Sequence, residues 1–180
     1  MRPTPKFPYL KHDGILAFAH RGGNLQAPEN TMAAFSDAAR QGYRFLETDV
    51  HASRDGVVFA FHDETLLRMT GEDIAINALD ASDIDSITVA GGHAIPRMED
   101  LLEAFSECRF NIDAKAWPVV EPLGQLIRRT EVDDRICIGA FNDERIFKVC
   151  QLVGRPLCHS IGVRESSRFR LAEWLGLNAY

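Results

Sequence analysis

The sequence predicts an α/β protein with a parallel sheet and helices packed outside it. Three observations predict this. Short apolar runs alternate with helix-like segments through most of the chain, the rhythm of repeated strand–helix–strand units. Runs such as Ile15-Leu16-Ala17-Phe18-Ala19 are apolar on both faces, as strands covered on both sides are. All but one pair of successive runs are far enough apart for a helical crossover. The chain of 180 residues can bury a substantial core, so residues 1–180 are read as one domain.

Residues 15–19 form the first strand. Residues 31–40 follow as a helix, with Asn30 or Thr31 as cap and Gly42 as stop. The second and third strands, 45–50 and 57–61, are joined through a turn at Asp55-Gly56. This is the one link too tight for a crossover. Residues 64–96 are longer than an ordinary connection and hold Leu66, Leu67, Ile74, Ile76, Leu79, Ile84 and Ile87. They are expected to fold as a small insertion. A helix over 98–107 places Leu101, Leu102 and Phe105 on one face. Then come a strand (109–113), a helix (118–130), a strand (135–139), a helix (142–152), a sixth strand (156–160) and a last helix (164–174). No internal repeat or low-complexity tract is present.

Composition narrows the function classes. The hydrophobic fraction of 46% and charged fraction of 26% are those of an ordinary globular protein. A net charge of −6 argues against nucleic acid as a main partner, because that footprint is basic. No run approaches the ~18 apolar residues of a membrane span, and no apolar signal core follows Met1-Arg2-Pro3-Thr4-Pro5-Lys6. The chain is read as cytoplasmic, with no stable membrane insertion. Cys108, Cys137, Cys150 and Cys158 form no C-x-x-C pair, so they read as reduced, mostly buried thiols rather than zinc ligands.

The chemistry lies at the strand ends. Glu47 and Asp49 are two apart in a strand and therefore share a face. Two carboxylates inside an apolar sheet are costly unless neutralised. A divalent cation with oxygen ligands is a natural neutraliser; a salt-bridged strand end is the plain alternative. Asp113 can add a third ligand, or act as a cap or ion pair, and Lys115 shares its face. His20 and His62 each end an apolar strand and open a polar turn. Their ordinary pKa near ~6.5 suits proton transfer at neutral pH. Arg21 offers a planar fork for phosphate oxygens. His51 continues the Glu47, Asp49 series and either lines the site or orients a ligand. Trp117, after Lys115, is placed to touch substrate; Trp174 reads as helix packing. His12, His93 and His159 have no partner pattern and read as structural or exposed. Metal ligands, phosphate-binding cations and two proton-transfer groups are the parts that cleavage of a phosphodiester requires.

These residues resemble the glycerophosphodiester phosphodiesterase family. The resemblance rests on His20-Arg21-Gly22, Pro28-Glu29-Asn30-Thr31, Glu47-Thr48-Asp49-Val50-His51, Asp55-Gly56, His62-Asp63-Glu64-Thr65-Leu66, Ile95-Pro96 before Glu99-Asp100-Leu101-Leu102, and Asn111-Ile112-Asp113-Ala114-Lys115. It covers residues 15–115; beyond them only the strand–helix rhythm matches. It implies a TIM (β/α)8-type barrel with a small insertion after the third strand. It implies hydrolysis of a small-molecule glycerophosphodiester to glycerol 3-phosphate and an alcohol, in phospholipid breakdown, with bound Mg²⁺ or Ca²⁺. Carried over by position, Glu47, Asp49 and Asp113 are metal ligands, His20 and His62 the acid–base pair, and Arg21 and Lys115 the phosphate-holding cations. Asp113 stands where the family often has Glu, one methylene longer.

A full barrel has eight strands and about 250 residues. Six strands are predicted here, so the barrel is expected to stop after about six. Open first and sixth strands would expose apolar residues and invite self-association. Two other readings follow: a lysophospholipase D-type activity on lysolipids, with an apolar groove near the insertion, or a truncated, non-catalytic fragment.

Overall fold

A computed structural model describes residues 6–23 and 25–174. Six strands form one sheet in the order β1 (Phe18–His20), β2 (Phe45–Ala52), β6 (Arg109–Ala114), β7 (Ile136–Gly139), β8 (Cys158–His159), with β3 (Val58–Ala60) on β2. Every neighbouring pair is parallel except β2 and β3, which run antiparallel. The tight turn foreseen between them allows only that direction. Ser53 N donates to Val57 O at 2.9 Å and Gly56 N to Ser53 O at 3.1 Å, closing it. β1 and β3 share one edge of β2: β1 pairs with residues 45–47 and β3 with 50–52. The arrangement is part of a (β/α) barrel.

The helices α1 (Met32–Arg40), α4 (Met98–Ala104), α5 (Val120–Thr130) and α6 (Asp143–Val153) cover the outside of the sheet. The main core joins Phe35, Leu46, Val50, Phe110 and Ile112 to Met98, Leu101, Leu123, Ile127, Ile138, Ile146 and Val149. Most of the eight residues of β2 are buried, as a strand paired on both edges and packed on both faces should be. Between β3 and α4 lie α2 (Leu67–Thr70), a 3₁₀ turn at Ile76–Ala78, α3 (Ala81–Asp85) and the hairpin β4 (Thr88–Val89) and β5 (His93–Ala94), joined by a second 3₁₀ turn at Ala90–Gly92. Leu66, Ile76, Ile84, Val89 and Ile95 close there over Phe59 and Phe61 in a second core, while Leu67 and Ile74 point outward. A last helix, α7, spans Val163–Trp174.

Several boundaries differ from the sequence expectation, each for a physical reason. β1 begins at Phe18 rather than residue 15 because pairing with β2 starts at Phe18↔Phe45; Ile15 is 87% exposed, so that end of the run is not a buried strand. Thr31, not Asn30, caps α1, accepting from Ala34 N at 3.2 Å. α4 stops at Ala104, where Phe105 leaves helical geometry. A 3₁₀ turn at Trp117–Val119 precedes α5, so the helix starts two residues late. The side chain of Trp174 and residues 175–180 lie outside what is described. Near the N-terminal ends of the strands, Tyr9 is buried against Phe45, ring centres 5.6 Å apart, beside Cys137 and Cys158. All four cysteines are free thiols.

Candidate active site

Four strand ends deliver the polar groups of the site. β2 carries Glu47, Asp49 and His51 on one face. The β2–β6 register sets Asp49 opposite Asp113 and Glu47 opposite Asn111. The β1–β2 register sets His20 opposite Glu47, with His20 Nε2 3.7 Å from Glu47 Oε2. The antiparallel β3 leads to His62: Phe61 N donates to Asp49 O at 2.9 Å. His51, buried, places its Nε2 3.2 Å from the carbonyl of His62 and so pins the same turn. Burial holds the His51 imidazole below its ordinary value, which keeps it a neutral ring suited to that role.

The turn after β1 is strained and tightly built. Arg21 has φ +53° and Asn30 φ +57°, left-handed values that cost a side-chain-bearing residue energy and recur at functional loops. Both are held in place. Arg21 N donates to Glu47 Oε2 at 3.0 Å, and Asn30 N to Arg21 O at 2.8 Å. Buried Asn30 accepts from Thr48 Oγ1 at 2.9 Å and reaches Asp49 Oδ2 with Nδ2 at 3.4 Å. Gly22, at φ +74°, leaves no room for a side chain: a Cβ would lie 2.9 Å from Phe35 N and 3.0 Å from Ala34 Cβ. The turn therefore rests directly on α1.

Both fixed cations predicted for phosphate are already engaged by carboxylates. Arg21 donates through Nη1 to Glu29 Oε1 at 3.0 Å, and its Nε lies 2.9 Å from Asp49 Oδ2 as an ion pair outside hydrogen-bond alignment. Neither contact uses Nη2. Lys115 Nζ bridges Asp49 Oδ1 at 3.3 Å and Asp113 Oδ2 at 3.4 Å, and lies over the Phe141 ring. Glu47 takes the consequences of crowding. Burial first, then the nearby Asp49 charge, push its carboxyl up to about 7 against the opposing Arg21 N–H.

Among the described residues no three His, Cys, Asp or Glu side chains are already gathered as a metal cluster, and Arg21 and Lys115 stand against the two oxygens of Asp49. The donor chemistry nonetheless fits a hard divalent cation. Glu29, Glu47, Asp49, Asp63 and Asp113 form a group of five carboxylates that Arg21, Arg68 and Lys115 oppose as fixed cations. Asp113 Oδ1 is buried without a hydrogen-bond partner, a costly state for a carboxylate oxygen. Oxygen ligands in excess of positive charge are what Mg²⁺ and Ca²⁺ take.

A cavity of about 260 Å³ opens beside these carboxylates, lined by Glu47, Asn111 and Asp113 on one side and Phe141, Ile161 and Val163 on the other. A second, of about 300 Å³, lies on the outer side of the His20-Arg21-Gly22 turn, against Phe18 and Tyr43. Trp117, half exposed, lines neither. His12 packs against Phe45, and His159 is exposed beside Phe147.

Sequence reasoning passed over Asp63 and Arg68. Asp63 Oδ1 is 2.6 Å from His62 Nδ1, and its other oxygen is 2.5 Å from Arg68 Nε. Asp63 directly after His62 was a signal, since a carboxylate next to an imidazole can orient it. Arg68 carried none.

A partial (β/α) barrel whose strand C-termini gather carboxylates, two imidazoles, an arginine and a lysine falls in the class of barrel enzymes. Within that class the chain belongs to the glycerophosphoryl diester phosphodiesterase family, whose family model matches residues 20–148. It is 37% identical over 178 residues, 98% of this chain, to the "Probable glycerophosphodiester phosphodiesterase 2" of Mycobacterium tuberculosis, and covers 67% of that protein. It is 28% identical to a human lysophospholipase D, covering 97% of this chain and 58% of the relative. The crystal structure of a glycerophosphodiester phosphodiesterase from Agrobacterium tumefaciens superposes with TM-score 0.70 at 30% identity, over 76% of this chain and 62% of that one. An Oleispira antarctica phosphodiesterase, solved with its product sn-glycerol-3-phosphate, shares the fold at TM-score 0.72 and 23% identity, over 88% of this chain and 71% of that one. The chain thus spans roughly three fifths to two thirds of the length of most of these relatives. No helix among the described residues is long and apolar enough to cross a membrane.

Proposed function

We propose that this chain hydrolyses glycerophosphodiesters to glycerol 3-phosphate and an alcohol, with a divalent cation, Mg²⁺ or Ca²⁺, held by Glu47, Asp49 and Asp113. One observation carries the reading: two imidazoles, at His20 and His62, flank a surplus of carboxylates at one end of the sheet. When bound, the cation supplies Lewis-acid stabilisation of charge on the phosphoryl oxygens. Arg21 and Lys115 bind the same oxygens, shared with the carboxylates they now touch. One histidine takes the proton of the attacking hydroxyl, from water or from the glycerol 2-hydroxyl. The other gives a proton to the leaving alcohol. Asp63 accepts from His62 Nδ1, so Nε2 is the nitrogen that reacts.

The apolar wall of Phe141, Ile161 and Val163, 71%, 57% and 57% exposed, favours a second reading. It suits an acyl chain, and hence a lysophospholipid substrate. This lining lies at the β7 and β8 ends, not near residues 64–96 where the sequence reading expected it. We place the reaction in the cytoplasm on the strength of four free thiols. The exposed Ile15, Phe18 and Leu25 near β1 support self-association of the chain, read by its mass in solution.

The deciding experiment incubates the chain with glycerophosphocholine, and separately with lysophosphatidylcholine, in Mg²⁺ or Ca²⁺ and in EDTA. Cation-dependent release of glycerol 3-phosphate from the first supports the main reading. Release of choline only from the lysolipid, with lysophosphatidic acid as the other product, supports the second. No turnover of either, with dye binding and a broad melt, returns the chain to a non-catalytic fragment.

A further inference from the structure

We propose that Arg68 is a positioning residue whose single guanidinium orients His62 and Arg21 together, by gripping Asp63 with one arm and Glu29 with another. The inference rests on the proposed function above and deepens it, because it makes residues 64–96 part of the catalytic apparatus.

Arg68 lies on α2, outside the sheet. Its Nε is 2.5 Å from Asp63 Oδ2 and its Nη2 is 2.6 Å from Glu29 Oε1. These nitrogens sit on different arms of one rigid planar fork. The fork ties together the turn after β1 and the turn after β3, which share no strand pairing with each other. Each carboxylate it holds is the direct partner of a different site group. Asp63 Oδ1 meets His62 Nδ1 at 2.6 Å, and the same Glu29 Oε1 that meets Arg68 accepts from Arg21 Nη1 at 3.0 Å. The path therefore runs from imidazole to carboxylate to guanidinium to carboxylate to guanidinium, and ends on Asp49, 2.9 Å from Arg21 Nε.

The charge states favour this arrangement. Burial alone would raise Glu29 and Asp63, yet Arg68 acting together with Arg21 at Glu29 and with His62 at Asp63 outweighs it, and both carboxyls are held below their ordinary values. Both thus stay ionised acceptors. An ionised Asp63 requires His62 to donate from Nδ1, which fixes the tautomer. The Arg68 side chain is 49% exposed, and a half-exposed ion pair adds little to stability. Its contribution is therefore to be sought in orientation, where a misplacement of about 1 Å can cost ~100-fold in rate.

The test compares wild type with Arg68→Met, Arg68→Lys, Asp63→Asn and the double variant Arg68→Met/Asp63→Asn, all loaded with Mg²⁺ or Ca²⁺ and assayed on glycerophosphocholine. Arg68→Met is expected to lower kcat/KM about 10- to 100-fold with its melting temperature little changed. Lysine restores the charge but not the fork, so Arg68→Lys should melt like wild type and stay about tenfold slow or worse. The double variant should lose clearly less than the product of the two single losses, because the Asp63 arm of Arg68 acts through His62 in both and only the Glu29 arm, acting on Arg21, remains separate. Wild-type kcat/KM in Arg68→Lys, or losses that multiply in the double variant, would overturn the proposal. A second readout does not depend on turnover. Imidazole ¹⁵N shifts should report His62 with its proton on Nδ1 in wild type and a mixture of tautomers in Arg68→Met, and glycerol 3-phosphate should bind the variant more weakly through the loosened Arg21. An unchanged His62 spectrum together with unchanged glycerol 3-phosphate affinity overturns the positioning role even in a chain that hydrolyses no glycerophosphodiester. In that chain, altered spectrum and affinity would support it while the functional reading alone falls.

Discussion

Replacing Gly22 by Ala tests the contact between the His20-Arg21-Gly22 turn and α1, and its neighbour provides the control. At Gly22 two costs combine. A Cβ at φ +74° brings left-handed strain of about 1–2 kcal/mol. The same Cβ would sit 2.9 Å from Phe35 N and 3.0 Å from the Ala34 carbonyl carbon, backbone atoms that cannot swing aside, and such overpacking costs about 1–3 kcal/mol more. Gly23→Ala at φ +86° meets nothing within 4 Å, so strain of about 1–2 kcal/mol is its whole cost. Gly22→Ala should therefore be less stable than Gly23→Ala by about 1–3 kcal/mol. Urea unfolding measures the difference directly. In thermal melts it corresponds to roughly 2–12 °C for a chain of this size. The Gly22 variant should also lose activity at temperatures where it is still folded, because the turn that moves carries Arg21 N off Glu47 and displaces His20. Equal stabilities for the two variants, within about 0.5 kcal/mol, would refute a turn seated on the helix backbone.

Three further expectations follow from the same geometry. His20→Ala and His62→Ala should each lower kcat by about 100- to 10,000-fold with melting temperatures near wild type; steady-state assays that find near-normal turnover remove the acid–base assignment. In chelated protein, Glu47 ionises near 7 when folded against 4.5 as its ordinary value, so the folded chain holds the extra proton between those pH values. Its contribution to stability is then complete below about 4.5 and declines as pH rises toward 7. Glu47→Gln should lose that decline, which urea titrations of both proteins across the range will register. Asp143 accepts from Gly162 N at 2.9 Å and Arg164 N at 3.0 Å at the start of α7. Asp143→Ala should cost roughly 1.5–3 kcal/mol, visible as a lower urea midpoint at unchanged slope.

The parts of the fold legible in the sequence are those governed by apolar pattern. β2 and β7 were readable because strands buried on both faces are largely apolar, and β6 because Phe110, Ile112 and Ala114 alternate with Arg109, Asn111 and Asp113; polar residues of β2 and β6 such as Glu47, Asp49 and Asp113 mark the site. The antiparallel β3 was implied by a turn too short for a helix. What escaped the sequence depends on contacts between distant residues. Nothing local shows that Arg21 and Asn30 adopt left-handed backbone, since neither is glycine; Glu47 and Thr48 across the turn hold them there. Arg68 sits on a four-residue helix with no buried residue, so no periodicity marks it, and its partners lie 5 and 39 positions away. Ile15 and Leu16 belong to an apolar run, yet β2 offers them no pairing partner. Asp143 drew no notice within the helix predicted over 142–152, because its partners, the Gly162 and Arg164 N–H groups, lie about twenty residues on, past β8.

The short antiparallel link between β2 and β3 also bears on the order in which the site assembles. Closing a loop of this length takes well under a microsecond, and a hairpin forms in roughly 1–10 μs. Pairing of β2 with β6 must instead wait for residues about sixty positions away to arrive, and long-range contacts of that kind form slowly. His62 and Asp49 are thus brought into register by a local event, while Asp113 and Lys115 join through a distant one. If the hairpin forms first, Asp49 and Glu47 are presented before Lys115 reaches them, and a divalent ion in the surrounding solution then meets these carboxylates ahead of the lysine.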